Sequence, residues 1–286
     1  MLTVFVRATP KSNGKPRPDW YSKEICIASV LDSAEQARAN GRVVRCTLAV
    51  DTSSGLALPP GLASLTSRFD DVLEIDGGSS MRSWRALLPH VEHAARRSAL
   101  RAAADVIYIV EDDHLHRPGA LTELLSTEAD YRYLYWTDDD RAFGSRRTAD
   151  TTTPQWVPIE SGVSSFGVTA RAFMRDRWLH RVFSYGGGSW DELICRALGG
   201  GARRVYGSGL KYVAWPLTRR SPWGIRRLPW AAWHATFRAM SLIVASARKP
   251  ATIVGSQPPQ STHAEPGLIA RGSDWSQIAN SVRSTE

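Results

Sequence analysis

One segment, "DVIYIVEDDHLHRPGAL" at residues 105–121, constrains the fold of this chain most strongly. It begins with a bulky, β-branched run that has no polar alternation, which predicts a central strand covered on both faces. Three acidic side chains, Glu111, Asp112 and Asp113, follow at the predicted end of that strand. Adjacent carboxylates repel one another, and the repulsion is poorly screened beside a core. We therefore expect positive charge next to them, with a divalent cation as the leading candidate.

Strands and helices alternate through the first part of the chain. The patterns predict a strand at 2–8, a helix at 21–41 and a strand at 42–51. A strand at 70–76 and a helix at 80–103, with Pro89 as a kink or break, precede the strand that ends at the acids. This order predicts an α/β fold with a mostly parallel central sheet flanked by helices. Ligands of such sheets bind outside the carboxyl ends of the strands, where the three acids fall.

Composition limits the classes of protein to consider. A chain of 286 residues that is 43% hydrophobic can form one large globular domain or two small ones. The first residues lack a secretory signal pattern, and no stretch reaches the roughly 18 apolar residues of a membrane span, so we expect a cytoplasmic protein. Three scattered cysteines predict buried thiols rather than disulfides or a metal site.

The charge of the chain favours an anionic partner. A formal net charge of +8 and a pI near 9.7 suit a nucleotide, a nucleic acid or a lipid surface. The net charge alone does not distinguish among these three partners. A generally basic, Arg-rich proteome would explain the positive charge equally well.

Several segments together resemble a known family. The α/β first half, the acidic triplet and a glycine-flanked "WDE" at 190–192 resemble the GT-A glycosyltransferases, and are most similar to the family 2-like enzymes. "VEDDHLHRPGAL" is similar to a subset whose metal motif reads E-D-D-aromatic-L-H, with His114 in the aromatic position. Weaker similarities support the match by order and spacing, at 17–24, 77–84, 164–176 and 261–275.

The resemblance implies a domain organisation. A GT-A catalytic domain spans residues 1–248, with a nucleotide-sugar-binding half at 1–116 and an acceptor-side half at 117–248. The remaining residues, 249–286, have little periodicity and several prolines. They predict an extended tail that closes over the donor site and is partly disordered at its end.

The resemblance also implies the reaction. A hexosyl or pentosyl group moves from a nucleotide-sugar donor to an acceptor with inversion, and Mn²⁺ or Mg²⁺ stabilises the diphosphate leaving group. In this family pattern Asp113 binds the metal, Glu111 and Asp112 contact the ribose or metal-bound water, and His263 in the tail completes the metal shell. An acidic strand end that caps the next helix, and an exposed loop histidine, are the alternatives.

Asp191 in "GGGSWDEL" is the predicted catalytic base. If Ser189 caps the helix, Glu192 completes a capping box, which leaves Asp191 without a structural role. Transfer needs a base for the acceptor hydroxyl, and a carboxylate at a helix start beside a glycine-rich loop can reach it. A favourable interaction of Asp191 with the helix dipole is the alternative.

Polar side chains that follow the predicted strands are candidates for donor binding. Arginine pairs with phosphate, and carboxylates and hydroxyls accept from or donate to a base or ribose. The same residue types are also ordinary at strand ends. The candidates are Arg7, Thr9, Asp51, Ser79, Ser80 and Arg82, together with Glu111 and Asp112.

Two further segments carry unusual patterns. A second acidic cluster, Asp138 to Asp140, has nearby arginines as counter-ions, which favours a solvated turn over a metal site. Residues 219–238 interleave Arg and Trp, which suits peripheral contact with an anionic membrane or nucleic acid. There Trp230, Trp233, Phe237 and Met240 also form one helical stripe, which favours packing against the protein's own core.

The sequence therefore favours a metal-dependent glycosyltransferase. The alternatives are a nucleotidyltransferase, for which "PKSNGKPRP" is a loose match to the expected signature, and a non-catalytic basic nucleic-acid-binding protein. The acceptor stays open among a glycan, a lipid carrier, a small molecule and a modified DNA base.

Overall fold

A computed structural model describes residues 1–11, 14–102, 104–136, 155–159, 162–163, 165–186, 190–199 and 228–283. Its strands are β1 (Leu2–Ala8), β2 (Val44–Asp51), β3 (Asp71–Ile75), β4 (Val106–Glu111), β5 (His114–His116), β6 (Tyr131–Tyr133), β7 (Gln155–Pro158), β8 (Phe166–Thr169), β9 (Ile253–Gln257) and β10 (Ser261–His263). Its α-helices are α1 (Lys23–Ala39), α2 (Pro60–Leu65), α3 (Ser80–Arg101), α4 (Ala120–Leu124), α5 (Ala170–Phe183), α6 (Trp190–Gly199), α7 (Leu228–Ala247) and α8 (Trp275–Arg283). A 3₁₀ turn follows α2 at Thr66–Arg68.

The described strands form one large sheet and one small one. The eight-stranded sheet has the order β3-β2-β1-β4-β8-β6-β9-β7, and β5 pairs with β10 in a separate two-stranded sheet. β1 is buried along its whole length between β2 and β4, and all three run parallel. The carboxyl ends of β1 to β4 therefore lie at one edge, as the alternating pattern predicts.

The sheet is mixed, so the expectation of a mostly parallel sheet is wrong. β8 runs antiparallel to both β4 and β6, and β7 runs antiparallel to β9. The reason lies in how the chain enters β8: Ser165, just before this strand, bonds to Glu111 at the exit of β4. A strand that starts where its neighbour ends must run the opposite way, and a short buried run of apolar residues does not encode its direction.

The C-terminal segment, predicted as a tail on the body, contributes to the interior of the main sheet. β9 lies between β6 and β7, parallel to the first and antiparallel to the second. β10 then pairs with β5, and α8 packs against α1. The sequence pattern misses β9 because glycine and serine interrupt its five residues.

Helices cover both faces of the sheet. α1, α4 and α8 pack on one face, in a cluster with Leu2, Val4 and Val6 of β1. α3, α5, α6 and α7 pack on the other face. α3 continues past Pro89 to Arg101, so this proline does not end the helix. Cys26, Cys46 and Cys195 are free and buried, as predicted.

The predicted aromatic stripe of Trp230, Trp233, Phe237 and Met240 falls in α7. Phe237 is buried in the core that α3 and α5 share, and Met240 packs against the same core, which fits the expectation of core packing. Trp233 departs from it, since 51% of this residue is exposed. Several predictions fall on residues outside the described ranges. These are Asp138 to Asp140 with the arginines near them (Arg141, Arg146 and Arg147), the cap candidate Ser189, the Arg and Trp residues of the interleaved segment (Arg219, Arg220, Trp223, Arg226 and Arg227) and the side chain of Trp230.

Among the helices that the structure describes, none combines the length and the apolar character needed to cross a bilayer.

The buried ring of Trp84 connects α3 to α6. It stacks on Trp190 with 5.0 Å between ring centroids, and it is fully inaccessible to solvent. We expect Trp84→Ala to lower the free energy of unfolding by about 3–5 kcal/mol, because it leaves a large cavity in the core. Urea unfolding measures this loss. Trp178→Ala is the matched control, since Trp178 is 50% exposed, and an equal loss in both variants would contradict the assignment of Trp84 to the core.

Candidate active site

The three acids stand where β4 leaves the sheet. Glu111 is the last residue of β4 and is half-buried, whereas Asp113, just before β5, is buried. The backbone N–H of Asp112 donates to the carbonyl of Arg7 at 3.1 Å, which ties this turn to the end of β1. The acids therefore occupy the carboxyl edge of the parallel strands, as predicted.

Each of the three carboxylates has a different basic partner from the chain itself. Arg7 in β1 pairs with Glu111. Lys23, at the start of α1, lies 2.9 Å from Asp112 Oδ2. Arg17, in the loop between β1 and α1, places Nη2 3.0 Å from Asp113 Oδ2.

These pairs change the interpretation of the acidic triplet. The positive charge that the sequence requires beside the acids is present as three side chains, so neutralising the triplet does not by itself call for a divalent cation. Burial nevertheless raises the pKa of Asp112, and Lys23 offsets only part of this. Evidence for a metal must therefore come from the donor atoms around Asp113.

Two histidines flank the carboxylate of Asp113. His114 Nδ1 lies 3.2 Å from Oδ1, and His263 Nε2 lies 3.1 Å from Oδ2. One donor atom from each of the three residues falls within 4.8 Å of the others. The structure thus brings together the two residues predicted as metal ligands and adds His114, which was predicted only to occupy an aromatic position.

Strand pairing explains why the histidines meet. β10 runs antiparallel to β5 with His263 directly opposite His114, and their ring centroids are 5.0 Å apart. The backbone N–H of Ala264 donates to the carbonyl of Asp113 at 2.8 Å and extends the pairing. Cross-strand neighbours on one face lie close enough for their side chains to touch. A two-stranded ribbon therefore fixes the geometry of the cluster.

The histidines set the ionisation of the carboxylate. Burial alone would raise the pKa of Asp113, but hydrogen bonds and charge from His114 and His263 outweigh burial and hold this pKa well below its ordinary value. Burial would lower the pKa of His263, but the bond to Asp113 outweighs that effect and raises it. The cluster therefore keeps an ionised carboxylate beside two imidazoles.

The donor atoms of this cluster fit a divalent cation. His114 Nε2 and His263 Nδ1, the ring nitrogens that do not face Asp113, are among the buried polar atoms without a hydrogen-bond partner in the described part of the chain. Buried polar atoms normally have a partner, so these two imidazoles retain capacity to bind a ligand. One carboxylate and two imidazoles suit Mn²⁺ better than Mg²⁺, which prefers oxygen ligands.

Asp191 lies in the first turn of α6, close enough to Glu111 for the charge of that carboxylate to act on it. Its Oδ1 accepts from the backbone N–H of Glu192 at 2.9 Å. Burial raises the pKa of Asp191 to about 7, the N–H of Glu192 partly opposes this, and the negative charge of Glu111 adds to it. A carboxyl group that changes charge near neutral pH can act as a general base.

Glu192 has its own structural partners. It pairs with Arg196 at 2.8 Å, one turn along α6, and with Arg238 of α7 at 3.9 Å. Glu192 is therefore held by ion pairs of its own, whereas the predicted cap at Ser189 lies outside the described residues.

Arg7 and Ser80 join three elements at the site. Arg7 is buried and donates through Nη1 to the carbonyl of Ser80 at 2.7 Å and through Nη2 to its Oγ at 3.1 Å. It also pairs with Glu111. Arg7 therefore fixes the start of α3 against the ends of β1 and β4, and its contacts are those of a positioning residue.

Asp51 organises the neighbouring loop. Its carboxylate accepts from Ser53 Oγ at 2.6 Å and from the backbone N–H groups of Gly77 and Gly78. Burial would raise the pKa of Asp51, but these hydrogen bonds outweigh it and lower the pKa. A Cβ on Gly77 would collide with both this carboxylate and Ser83, so the close approach requires glycine.

The remaining donor candidates surround the same edge. The backbone N–H of Thr9 donates to Asp112 Oδ2 at 3.0 Å. Ser79 caps α3 by accepting from the N–H of Arg82 at 3.4 Å, and both residues are exposed. All six candidates thus lie at the ends of β1 and β2 or after β1 and β3, at the edge that bears the acids.

Lys23 and Arg17 are site residues that sequence reasoning missed. Arg17 lies in the polar, proline-rich loop after β1 and Lys23 is the first residue of α1, and at neither place does a basic side chain have a distinguishing pattern. The signal for His114 was present, because it alternates with His116 directly after an aspartate.

Comparisons with known proteins give only distant likenesses. No family model and no curated protein sequence matches this chain significantly. Mannose-6-phosphate isomerase from Helicobacter pylori aligns over 65% of this chain and 77% of its own, with 11% identity and a TM-score of 0.34.

Two structures of a galactosyltransferase, LgtC, align over almost the whole chain. One, a complex with donor and acceptor sugar analogues, covers 98% of this chain and 96% of its own at 14% identity and a TM-score of 0.39. The other, an active-site mutant, covers 100% and 96% at 12% identity and a TM-score of 0.40. Likenesses of this strength carry no argument about relationship or mechanism, so the GT-A assignment stays a prediction.

The raised pKa of Asp191 predicts a pH-dependent stability. Between its ordinary value of 3.8 and about 7, the unfolded chain has lost this proton while the folded protein retains it. The contribution of Asp191 therefore lowers the stability of the wild type as pH rises through this window, and Asp191→Asn lacks that contribution. We expect the variant to gain stability relative to wild type from pH 4 to pH 7, measured by urea unfolding. A difference that does not change with pH would contradict the raised pKa.

Proposed function

We propose that this protein is a metal-dependent glycosyltransferase that uses a nucleotide-sugar donor. The observation that carries the proposal is the cluster of Asp113, His114 and His263 at the carboxyl edge of the sheet, where Asp191 supplies a base of suitable pKa. The family resemblance of the acidic motif supports the same reaction.

The residues of the cluster supply the metal site. Asp113, His114 and His263 would hold the cation, and Mn²⁺ fits this donor set best. When bound, the cation stabilises the charge that develops on the departing nucleoside diphosphate. The chain's own groups keep Asp113 ionised and hold the two imidazoles beside it.

The donor would lie along the edge formed by β1, β2 and α3. Asp51 is rigidly held and ionised, so it can accept from the base or ribose. Glu111 and Asp112 sit between this region and the metal cluster. The start of α3 exposes Ser79, Ser80 and Arg82. The N-terminus of this 22-residue helix favours the negative charge of a diphosphate.

Asp191 would take the proton of the acceptor hydroxyl. Its pKa of about 7 keeps a substantial fraction ionised at neutral pH while making it a stronger base than an ordinary aspartate. Direct attack assisted by one base gives an inverting transfer of a hexose or pentose. The acceptor stays open among a glycan, a lipid carrier, a small molecule and a modified DNA base.

The alternatives fit the site less well. A nucleotidyltransferase needs a basic loop that is available to phosphate, whereas Lys15 pairs with Glu265 at 2.7 Å and Arg17 pairs with Asp113. A non-catalytic nucleic-acid-binding protein leaves the buried cluster and the raised pKa of Asp191 without a role.

Ligand-linked stabilisation tests the donor and the metal together. We expect at least one nucleotide sugar in a broad panel to raise the melting temperature more with Mn²⁺ than without it, because ligands that bind the folded state stabilise it. Asp113→Asn should abolish the Mn²⁺-dependent part, since it removes the charged ligand. Calorimetric titration with the matching nucleoside diphosphate then measures a loss of about tenfold or more in affinity.

Asp71→Asn is the matched control for this experiment. Asp71 pairs with Arg45 on β2, on the exposed edge strand β3, away from the cluster. It should respond to nucleotide sugar and Mn²⁺ as the wild type does. Mn²⁺-dependent binding that survives in Asp113→Asn would refute the metal assignment.

Hydrolysis of the nucleotide sugar, with water as the acceptor, tests the base. We expect Asp191→Asn to lower turnover about 100-fold or more with little change in donor affinity, since general-base catalysis contributes about 10²–10⁴. The wild-type rate should rise with pH through an apparent pKa near 7, and the variant should lack this dependence.

Glu192→Gln separates catalysis from structure. It weakens the pair with Arg196, so it should reduce stability while retaining turnover. Equal kinetic damage in the two variants would reject Asp191 as the base while leaving donor binding intact.

A further inference from the structure

The outer sides of α3 and α5 form one continuous surface. The two helices pack side by side on the same face of the sheet. Arg181 of α5 pairs with Glu92 of α3, with Nε 2.6 Å from Oε1, and Arg85 of α3 donates to the carbonyl of Ser184 at 2.8 Å. The solvent-facing side chains of both helices therefore contribute to the same surface.

On this surface the acidic side chains are buried and the arginine side chains are exposed. The helices contain only two acids, Glu92 and Asp176, and both are buried and paired with arginines. The exposed charged residues are arginines, and we define the α3–α5 basic face by Arg96, Arg97, Arg101, Arg171, Arg177 and Arg181. The first three form no ion pair with any residue that the structure describes. An outward face without acids attracts a polyanion.

Apolar side chains project from the same surface. Leu100 is 89% exposed and lies one helical turn after Arg96 and Arg97. Trp178 is 50% exposed and lies one turn before Arg181.

Two more exposed aromatic side chains lie near the end of α5. Tyr185 is 57% exposed, and its carbonyl accepts from the indole N–H of Trp233 at 2.8 Å. Trp233 in turn is 51% exposed. Trp and Tyr with one apolar and one polar end favour the boundary between lipid and water.

We propose that the α3–α5 basic face docks on the surface of an anionic lipid bilayer. Arginines would contact lipid phosphates while Leu100 and Trp178 enter the interface, a combination typical of peripheral membrane binding. A nucleic acid would also attract the arginines, but it would leave Leu100 in water. Apart from Trp233, the proposed surface lies outside residues 219–238, and the proposal does not depend on the reaction.

Vesicle flotation tests the docking. We expect the wild type to float with phosphatidylcholine vesicles that contain phosphatidylglycerol, and not with phosphatidylcholine alone, in low salt. Arg96→Glu combined with Arg97→Glu should lower the partition coefficient by about tenfold or more. Leu100→Ser combined with Trp178→Ser should lower it by about threefold or more and remove the binding that persists in high salt.

A control with the same change in net charge makes the test specific. Arg42→Glu combined with Arg271→Glu alters exposed residues outside the α3–α5 face, and it should bind vesicles almost as the wild type does. Circular dichroism checks that each variant is folded, and Arg96→Gln combined with Arg97→Gln replaces the charge reversal if that variant does not fold.

Three results would overturn the proposal. The first is no flotation of the wild type with anionic vesicles, and the second is an equal loss in the control variant. The third is that the wild type shifts duplex DNA in a gel and the Arg96→Glu, Arg97→Glu variant does not, while the wild type fails to bind vesicles or the variant binds them equally well.

Discussion

Burial of the Asp113 carboxylate is the constraint on which the site depends. A buried carboxylate costs several kcal/mol unless opposite charge and hydrogen bonds compensate it. Here the compensation comes from Arg17, His114 and His263, which belong to the loop after β1, to β5 and to β10. Three distant parts of the chain must therefore meet at one side chain. Arg17 also donates to the carbonyl of Ala264 at 2.5 Å, so it joins the loop directly to the segment after β10.

Packing between α3 and α6 couples the predicted donor edge to Asp191. Arg7 fixes the start of α3 to the ends of β1 and β4. Trp84, one turn into the same helix, stacks on Trp190, which directly precedes Asp191. A shift of α3 would thus move both the donor edge and the base. This arrangement places charged groups on rigid elements, where small changes in packing alter their relative positions least.

The sequence predicts where the acids lie better than it predicts the second half of the fold. The position of Asp113 at the carboxyl edge follows from the exit of a buried strand, and that of Asp191 from a helix start, whereas their roles stay predictions. The partners Arg17 and Lys23 could not be predicted, because pairing across a loop leaves no periodic pattern. β9 was missed because its glycine and serine break the apolar run. The direction of β8 was missed because direction depends on where the chain re-enters the sheet.

The position of β9 also bears on the order in which the chain can fold. β9 pairs with β6 on one side and β7 on the other, and Thr252 just before it bonds to Asp130, 122 residues earlier. Until residues 253–257 are available during synthesis, β6 and β7 have exposed edges, and unpaired edges promote association between chains. β10 emerges later still, so the cluster around Asp113 is among the last features to form. A nascent chain that stops before β9 would therefore need protection from aggregation, whereas the parallel strands β1 to β4 could already have assembled.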